Sequence, residues 1–306
     1  MAPTSRRPII DTMIDVQHLT KRYGGRTAVD DVSFHCRAGS VTGFLGPNGA
    51  GKSTTMRMLT GLTPPTAGAA TIDGRRFADL PNPGRLVGVM LDASAQHPGR
   101  SGRETLRLSA RLLDVSRDRV DALLDEVGLA AAARRKVGSY SLGMRQRLGI
   151  ANALLGDPAV LVLDEPANGM DPDGIRWMRH LLRDFAARGG TVLLSSHLLG
   201  EVEATVDRLV VIGDGRVVAD DALDALLAGQ GTTVRSLDDA ALVVALRAAG
   251  YEVTRSDRGA LIARAAAEEV GRVALGAGLI LTELTEGGAG LEDLYFSLTT
   301  TPEVAA

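Results

Sequence analysis

The 306-residue chain holds one cysteine, Cys36, and only three lysines, Lys21, Lys52 and Lys136, among 34 basic residues. One cysteine excludes an intrachain disulfide and a zinc cluster; it permits an intracellular setting without requiring one. The arginine bias reads as genome composition, which makes a lysine inside a motif more informative. No apolar run approaches the roughly 18–20 residues that cross a bilayer. The chain is therefore expected to be soluble, with any membrane association coming through a partner. Net charge is −3, so bulk charge points to neither nucleic acid nor an acidic membrane. The opening MAPTSRRPIIDTMID has an arginine pair with no apolar stretch behind it, which argues against a signal peptide. Residues 1–12 read as a loose tail, with Met13 an alternative start. Internal repeats and low-complexity segments are absent.

What is there is an alternation. The length suits one large domain or two small ones, and 45% hydrophobic residues is ordinary for a globular protein. MIDVQHLT, AVDDVSFHC, SVTGFLG, AATIDGRR and RLVGVML read as strands, with a helix over 54–60. Residues 102–156 switch to helical periodicity and form a helical insert. Strands resume at AVLVLD and TVLLSSH around a helix at about 172–187, and RLVVIGDGRVVAD reads as a hairpin turning at Asp214-Gly215. Apolar strands alternating with helices predict a largely parallel, buried sheet. A helix and a glycine-containing linker fill 222–231. Beyond them the order is βαββαβ plus a final helix, the ferredoxin-like order of a small separate α+β domain.

GPNGAGKS, residues 46–53, fits G-x-x-x-x-G-K-[ST] between a strand and a helix. In the loop Gly46-Pro47-Asn48-Gly49-Ala50-Gly51 the glycines let the backbone wrap phosphates with its N–H groups inward. Lys52 supplies a point charge to the β- and γ-phosphates and Ser53 a hydroxyl to Mg²⁺; Thr54 continues into the helix, whose positive end adds to the site. Average composition yields this pattern by chance in roughly one chain in a hundred of this length.

AVLVLDEP brings Asp164 to the end of a buried strand, where it can hold Mg²⁺, and sets Glu165 one residue further out as a candidate general base. His197 ends another buried strand at the same sheet edge, placed to bond a γ-phosphate oxygen and position a water. In SYSLGMRQRLGIA, Ser141 and Gly143 open a helix. A hydroxyl and a glycine there suit a simple cap, and equally suit holding an anion.

Together these residues resemble the nucleotide-binding domain of ATP-binding-cassette (ABC) transporters, over about residues 13–220. GPNGAGKST resembles the family's phosphate loop, VLVLDEP its second nucleotide motif and His197 its switch histidine. NGMD, ending in Asp171, resembles the loop that crosses between subunits, and YSLGMRQR the signature normally written LSGGQ. The resemblance implies that Ser141 and Gly143 face ATP bound to a partner chain, and that Tyr23 in KRYGG stacks on adenine. Two features depart from the family: Leu142 and Met144 replace a signature glycine and glutamine, and Asp92 stands where a Mg²⁺-contacting glutamine is usual, with Gln96 four residues late. The block 232–299, ending GLEDLYFSLTT, resembles the small appended domain of single-cassette ATPases in daunorubicin-resistance-type export systems.

The expected architecture is an α/β P-loop NTPase core of the ABC ATPase type at 13–221, with a helical subdomain at about 93–156, a linker at 222–231 and a small α+β domain at 232–306. The resemblance implies an ATPase using ATP and Mg²⁺, with Lys52, Glu165 and His197 catalytic and Ser53, Asp164 and Asp92 toward the metal. It implies a separate membrane permease, a second cassette (a copy or a paralogue, head to tail), no nucleic acid, and a place at the cytoplasmic face of the membrane. Two alternatives remain. A soluble ABC switch acting on ribosomes or DNA is disfavoured by the single cassette and the lack of sustained heptads over 55–160. A cassette that binds ATP without turnover is disfavoured by Glu165 and His197.

Overall fold

Thr12–Tyr23 (β1) and Arg26–Arg37 (β2) pair antiparallel, with Tyr23 opposite Arg26 across a two-glycine turn. The computed structural model describes residues 12–228, 231–255, 260–286 and 290–299; the tail expected at 1–12 lies outside them apart from Thr12. The chain divides into two units, one ending at Asp220 and the other beginning at Asp221.

In the first unit, Val41–Leu45 (β3) is buried throughout and feeds the glycine loop and Lys52–Leu59 (α1). The helix ends where the Thr60 hydroxyl donates to the Met56 carbonyl, just before Gly61 and a Pro-Pro pair. Ala67–Ile72 (β4) returns to pair antiparallel with β1, so β2-β1-β4 form a three-stranded sheet of their own. Strand patterning alone does not separate these strands from the parallel sheet. Pro83–Leu86 (α2) leads into Val87–Met90 (β5). The insert follows as Gly102–Leu113 (α3), Arg117–Glu126 (α4) and Leu142–Leu154 (α5). Each of these three begins at a serine, Ser101, Ser116 or Ser141, whose hydroxyl accepts the backbone N–H three residues on, a cap worth about 1 kcal/mol.

Val160–Leu163 (β6), Pro172–Ala187 (α6), Thr191–Ser196 (β7), Leu199–Glu203 (α7), Arg208–Gly213 (β8) and Arg216–Ala222 (β9), whose last two residues fall past the division, complete the unit. The six-stranded sheet has the order β5-β6-β7-β3-β8-β9, parallel from β5 to β8. β6 and β7 are buried along their whole length, as expected where both faces are covered. Asp214 and Gly215, both at positive φ, make the tight turn between β8 and β9. Phe34 of β2 stacks on Phe44 of β3, ring centroids 5.2 Å apart. That contact joins the two sheets in a core shared with Met56, Ile72 and Val162.

Cys36 lies in the same core, fully buried, and burial pushes its thiol pKa up to about 12. The thiolate is the reactive form. A disulfide reagent at pH 8 is therefore expected to leave the native protein unlabelled and to modify one thiol after denaturation; rapid labelling of the native chain would contradict this packing.

The register decides the site. Leu45 lies beside Ser196, and Leu163 beside Leu194. Gly46, Asp164 and His197 therefore leave the sheet at one edge, the carboxyl ends of parallel strands, where ligands bind in such folds.

The second unit contains Leu223–Ala228 (α8), Thr232–Ser236 (β10), Asp239–Ala248 (α9), Val253–Arg255 (β11), Leu261–Ala263 (β12), Ala267–Gly276 (α10), Leu281–Glu286 (β13) and Gly290–Thr299 (α11). Its antiparallel sheet runs β11-β12-β10-β13, the ferredoxin-like order read from the sequence. Val234, Leu242, Leu246 and Val270 are fully buried at its centre. Among the described residues no helix is long and apolar enough to cross a membrane.

Candidate nucleotide site

A cavity of about 460 Å³ opens between the β1–β2 turn and the glycine loop, within the size range of small-molecule sites. Of the expected residues, Asn48, Gly49, Gly51, Lys52, Ser53 and Thr54 line it from one side, Tyr23 from another, and Glu165 from the far edge. Gly46, Pro47 and Ala50 instead hold the loop's shape. A Cβ at Gly46 would come within 2.3 Å of the Ile212 carbonyl oxygen. The Pro47 carbonyl accepts the Ala50 N–H, and the Ala50 carbonyl accepts the Gly215 N–H, both at 3.2 Å. Gly51 sits at φ 108 directly before α1, a conformation open to glycine alone.

The Lys52 ammonium reaches back along the loop, donating to the Gly46 carbonyl at 2.5 Å and to Pro47 at 3.2 Å. Burial pushes its pKa down, while the Glu165 and Asp164 carboxylates act in the opposite sense. A desolvated cation of this kind attracts a phosphate more strongly than one in water.

At the sheet edge the Ser195 hydroxyl donates to the Asp164 carboxylate and accepts the Glu165 backbone N–H at 3.0 Å. One serine thus orients both acids. His197 Nδ1 lies 2.7 Å from Glu165 Oε2. An ionised carboxylate only accepts, so Nδ1 carries the proton of this bond. Glu165 itself has φ 50, left-handed backbone that costs an L residue about 1–2 kcal/mol and that occurs preferentially at functional sites. Among the described residues no three His, Cys, Asp or Glu side chains converge as a preformed metal cage. Ser53 lines the cavity; Asp164 is not among the lining residues, but its carboxylate is near enough to act electrostatically on Lys52, so a hydroxyl and a carboxylate oxygen of the kind Mg²⁺ takes are present there.

Ser141 caps α5, and Asp171 caps α6 by accepting the Gly174 N–H at 2.7 Å. Neither lines the cavity of its own chain, nor does Gly143. Arg26, Ser195 and Gln146 were not legible as site residues. Arg26 faces the cavity beside Tyr23, and the alternation of β2 from the turn is the signal that could have found it. Gln146 is buried against the loop after β6.

An ABC transporter family model matches residues 29–168, and a domain family of unknown function (DUF8746) matches 230–292. The bacitracin transport ATP-binding protein BcrA of Bacillus licheniformis is 40% identical over 220 residues, 71% of this chain and 72% of that one. The lantibiotic transport ATP-binding protein SrtF of Streptococcus pyogenes is 38% identical over 214 residues, 69% and 92% of the two chains. The dimeric bacterial ABC transporter cassette MJ0796 superposes with a TM-score of 0.63 at 25% identity, covering 69% of this chain and 99% of that one. The chain belongs to the ABC transporter ATP-binding proteins.

As an ABC ATPase subunit it hydrolyses ATP to ADP and phosphate, coupled to transport. Its signature departs from the usual glycine at Leu142, and the structure shows where that bulk goes. The Leu142 side chain lies over Gly169, where even a single Cβ would come within 2.2 Å of it. Gly169, having no side chain, accommodates Leu142.

Asp92 is where the geometry departs from the expected metal role. It does not line the nucleotide cavity. Its carboxylate accepts the Ser94 hydroxyl and N–H at 2.6 and 2.7 Å, capping a short turn. Those bonds hold its pKa below the ordinary carboxylate value. It faces a separate groove of about 740 Å³ between α3, α5 and β5. Gln96 does not line the nucleotide cavity either; it lines the same separate groove, and its Nε2 donates to the Arg145 carbonyl on α5 at 3.3 Å. For the isolated chain, Asp92→Ala is expected to leave the ATPase rate and its Mg²⁺ dependence within about twofold, as for a surface polar substitution. A Mg²⁺ titration checks this; a large shift of its midpoint would restore the metal role.

Proposed function

We propose that two cassettes, a pair of these chains or this chain with a paralogue, close head to tail around two ATP and power export of a drug, antibiotic or lipid-like molecule through a separate membrane permease. The single observation carrying the hydrolytic part is the constellation at the sheet edge: Glu165 on the phosphate-loop cavity, bonded to His197 and levelled with Asp164 through Ser195. Glu165 takes a proton from water; the water oxygen bonds the γ-phosphorus, and the electron pair of the breaking bond leaves with the bridging oxygen on ADP. Lys52 offsets the charge developing on the γ-oxygens, and His197 orients the Glu165 carboxylate through its Nδ1–H. Ser53 and Asp164 would hold Mg²⁺, which would supply charge neutralisation to the triphosphate. Tyr23, half exposed at the cavity mouth, offers an aromatic face to adenine. Ser141, Gly143 and Asp171 serve the ATP of the opposite chain.

The export assignment draws on the named relatives. Bacitracin and lantibiotic transport belong to those proteins, and a Nod factor export ATP-binding protein of Burkholderia pseudomallei is 42% identical over 214 residues. The groove holding Asp92 suits the permease, because three exposed leucines, Leu62, Leu108 and Leu112, line it, and exposed apolar patches of this kind mark partner sites. The assembly then sits at the cytoplasmic face of the membrane, held there by the permease. The appended unit carries none of the phosphate-contacting motifs and serves as a dimer-stabilising or regulatory part.

Sedimentation tests the trans arrangement. Glu165→Gln with ATP and Mg²⁺ is expected to run as a dimer, and adding Ser141→Arg to return it to a monomer by obstructing the opposite phosphate site. A monomer throughout for Glu165→Gln counts against the model.

A further inference from the structure

We infer that Gln146 is a positioning residue for hydrolysis, a strut that fixes the backbone of Glu165 and ties it to the helix opened by Ser141. The inference rests on the reading of Glu165 as the base. Gln146 lies on the second turn of α5, only 5% exposed. Its Nε2 donates to the Glu165 carbonyl at 3.4 Å and to the Asn168 carbonyl at 3.2 Å. The amide carries two hydrogens, so both bonds form together. The Asn168 N–H also donates to the Glu165 carbonyl at 3.1 Å, closing the turn that follows the base.

Glu165 needs such support, because its left-handed backbone persists only where surrounding contacts over-determine it. Ser195 holds the peptide on its amino side and Gln146 the one on its carboxyl side. With both held, the carboxylate is aimed at the cavity, and His197 steadies its tip.

The same side chain joins two sites. The first turn of α5 rests on the crossing loop: a Cβ at Gly143 would lie 3.3 Å from the Gly169 carbonyl, and Leu142 covers Gly169. When Ser141 and Gly143 take up the opposite chain's nucleotide, any displacement of α5 reaches Glu165 of its own chain through Gln146. Each signature thereby reports to the base in its own subunit while serving ATP in the other.

Gln146→Met in the full chain tests this, since methionine keeps length and packing but has no donor. We expect kcat to fall about 10- to 100-fold, the scale of losing hydrogen bonds that hold a catalytic group. KM for ATP and the melting temperature should stay near their original values. Gln146→Asn, which keeps the amide but is one methylene short, should show the same split and serves if the methionine variant does not fold. Single-turnover measurements in a Glu165→Gln background should show no further loss from Gln146→Met, because no base remains to be positioned. Unchanged kcat for both single variants overturns the proposal, as does an equal loss in both backgrounds, which would mark general damage. Full activity of Glu165→Gln alone would instead overturn the base assignment and leave a separate signature from either result.

Discussion

Glu165→Gln should lower steady-state ATP turnover by about 10²–10⁴-fold, the usual worth of general-base catalysis, while ATP still binds. The amide matches the carboxylate in size and its oxygen can still accept the bond from His197 Nδ1, now 2.7 Å from Oε2. The Glu165 N–H remains on Ser195, so the backbone conformation survives. Only proton acceptance is lost. Asp92→Gln is the contrasting variant: it restores the usual family residue at a position that caps its own loop, and should keep turnover within about tenfold, far from the loss of a base. Steady-state ATPase assays with nucleotide-binding measurements on both variants decide this. If Asp92→Gln were as inactive as Glu165→Gln, Glu165 could not be the sole base.

Gly51→Ala should weaken ATP binding by about 5- to 150-fold, the equivalent of roughly 1–3 kcal/mol of backbone strain. Gly51 has φ 108, and an added Cβ would come within 2.6 Å of the Ala28 carbonyl oxygen. That oxygen belongs to β2 and cannot swing aside as a flexible side chain would. The loop must leave its phosphate-ready shape, and affinity falls by the fraction of molecules that keep it. Gly49→Ala is the control. Its φ is also positive, at 86, but nothing lies within 4 Å of the added Cβ, so its loss should be the smaller of the two. Isothermal titration with a non-hydrolysable ATP analogue ranks them; equal affinities for Gly51→Ala and the parent chain would show that the loop tolerates the strain.

The sequence by itself determined the local features. The phosphate loop is a contiguous pattern whose glycines, lysine and serine act within eight residues. The helix starts were readable because serine or aspartate caps its own helix three residues on, as Ser141 and Asp171 do. The acids after β6 and the histidine after β7 were readable because uniformly apolar runs bury parallel strands, and residues leaving such strands gather at one edge. The ferredoxin-like order of the second unit followed from the alternation of its elements.

Tertiary structure decided what depends on orientation across long separations. Apolar alternation makes a strand but does not say which sheet it joins, and only the β1–β4 pairing set three strands apart from the parallel sheet. Asp92 could be aligned with a metal-contacting position, yet its side chain turns to Ser94 and toward the groove; a carboxylate caps the nearest N–H when nothing fixes it elsewhere. Gln146 reaches backbone carbonyls 19 and 22 residues away, and Ser195 an acid 31 residues away. No sequence pattern marks such bonds, because a backbone carbonyl is the same whatever residue bears it. Only packing α5 against the loop after β6 brings those acceptors within reach of one buried amide.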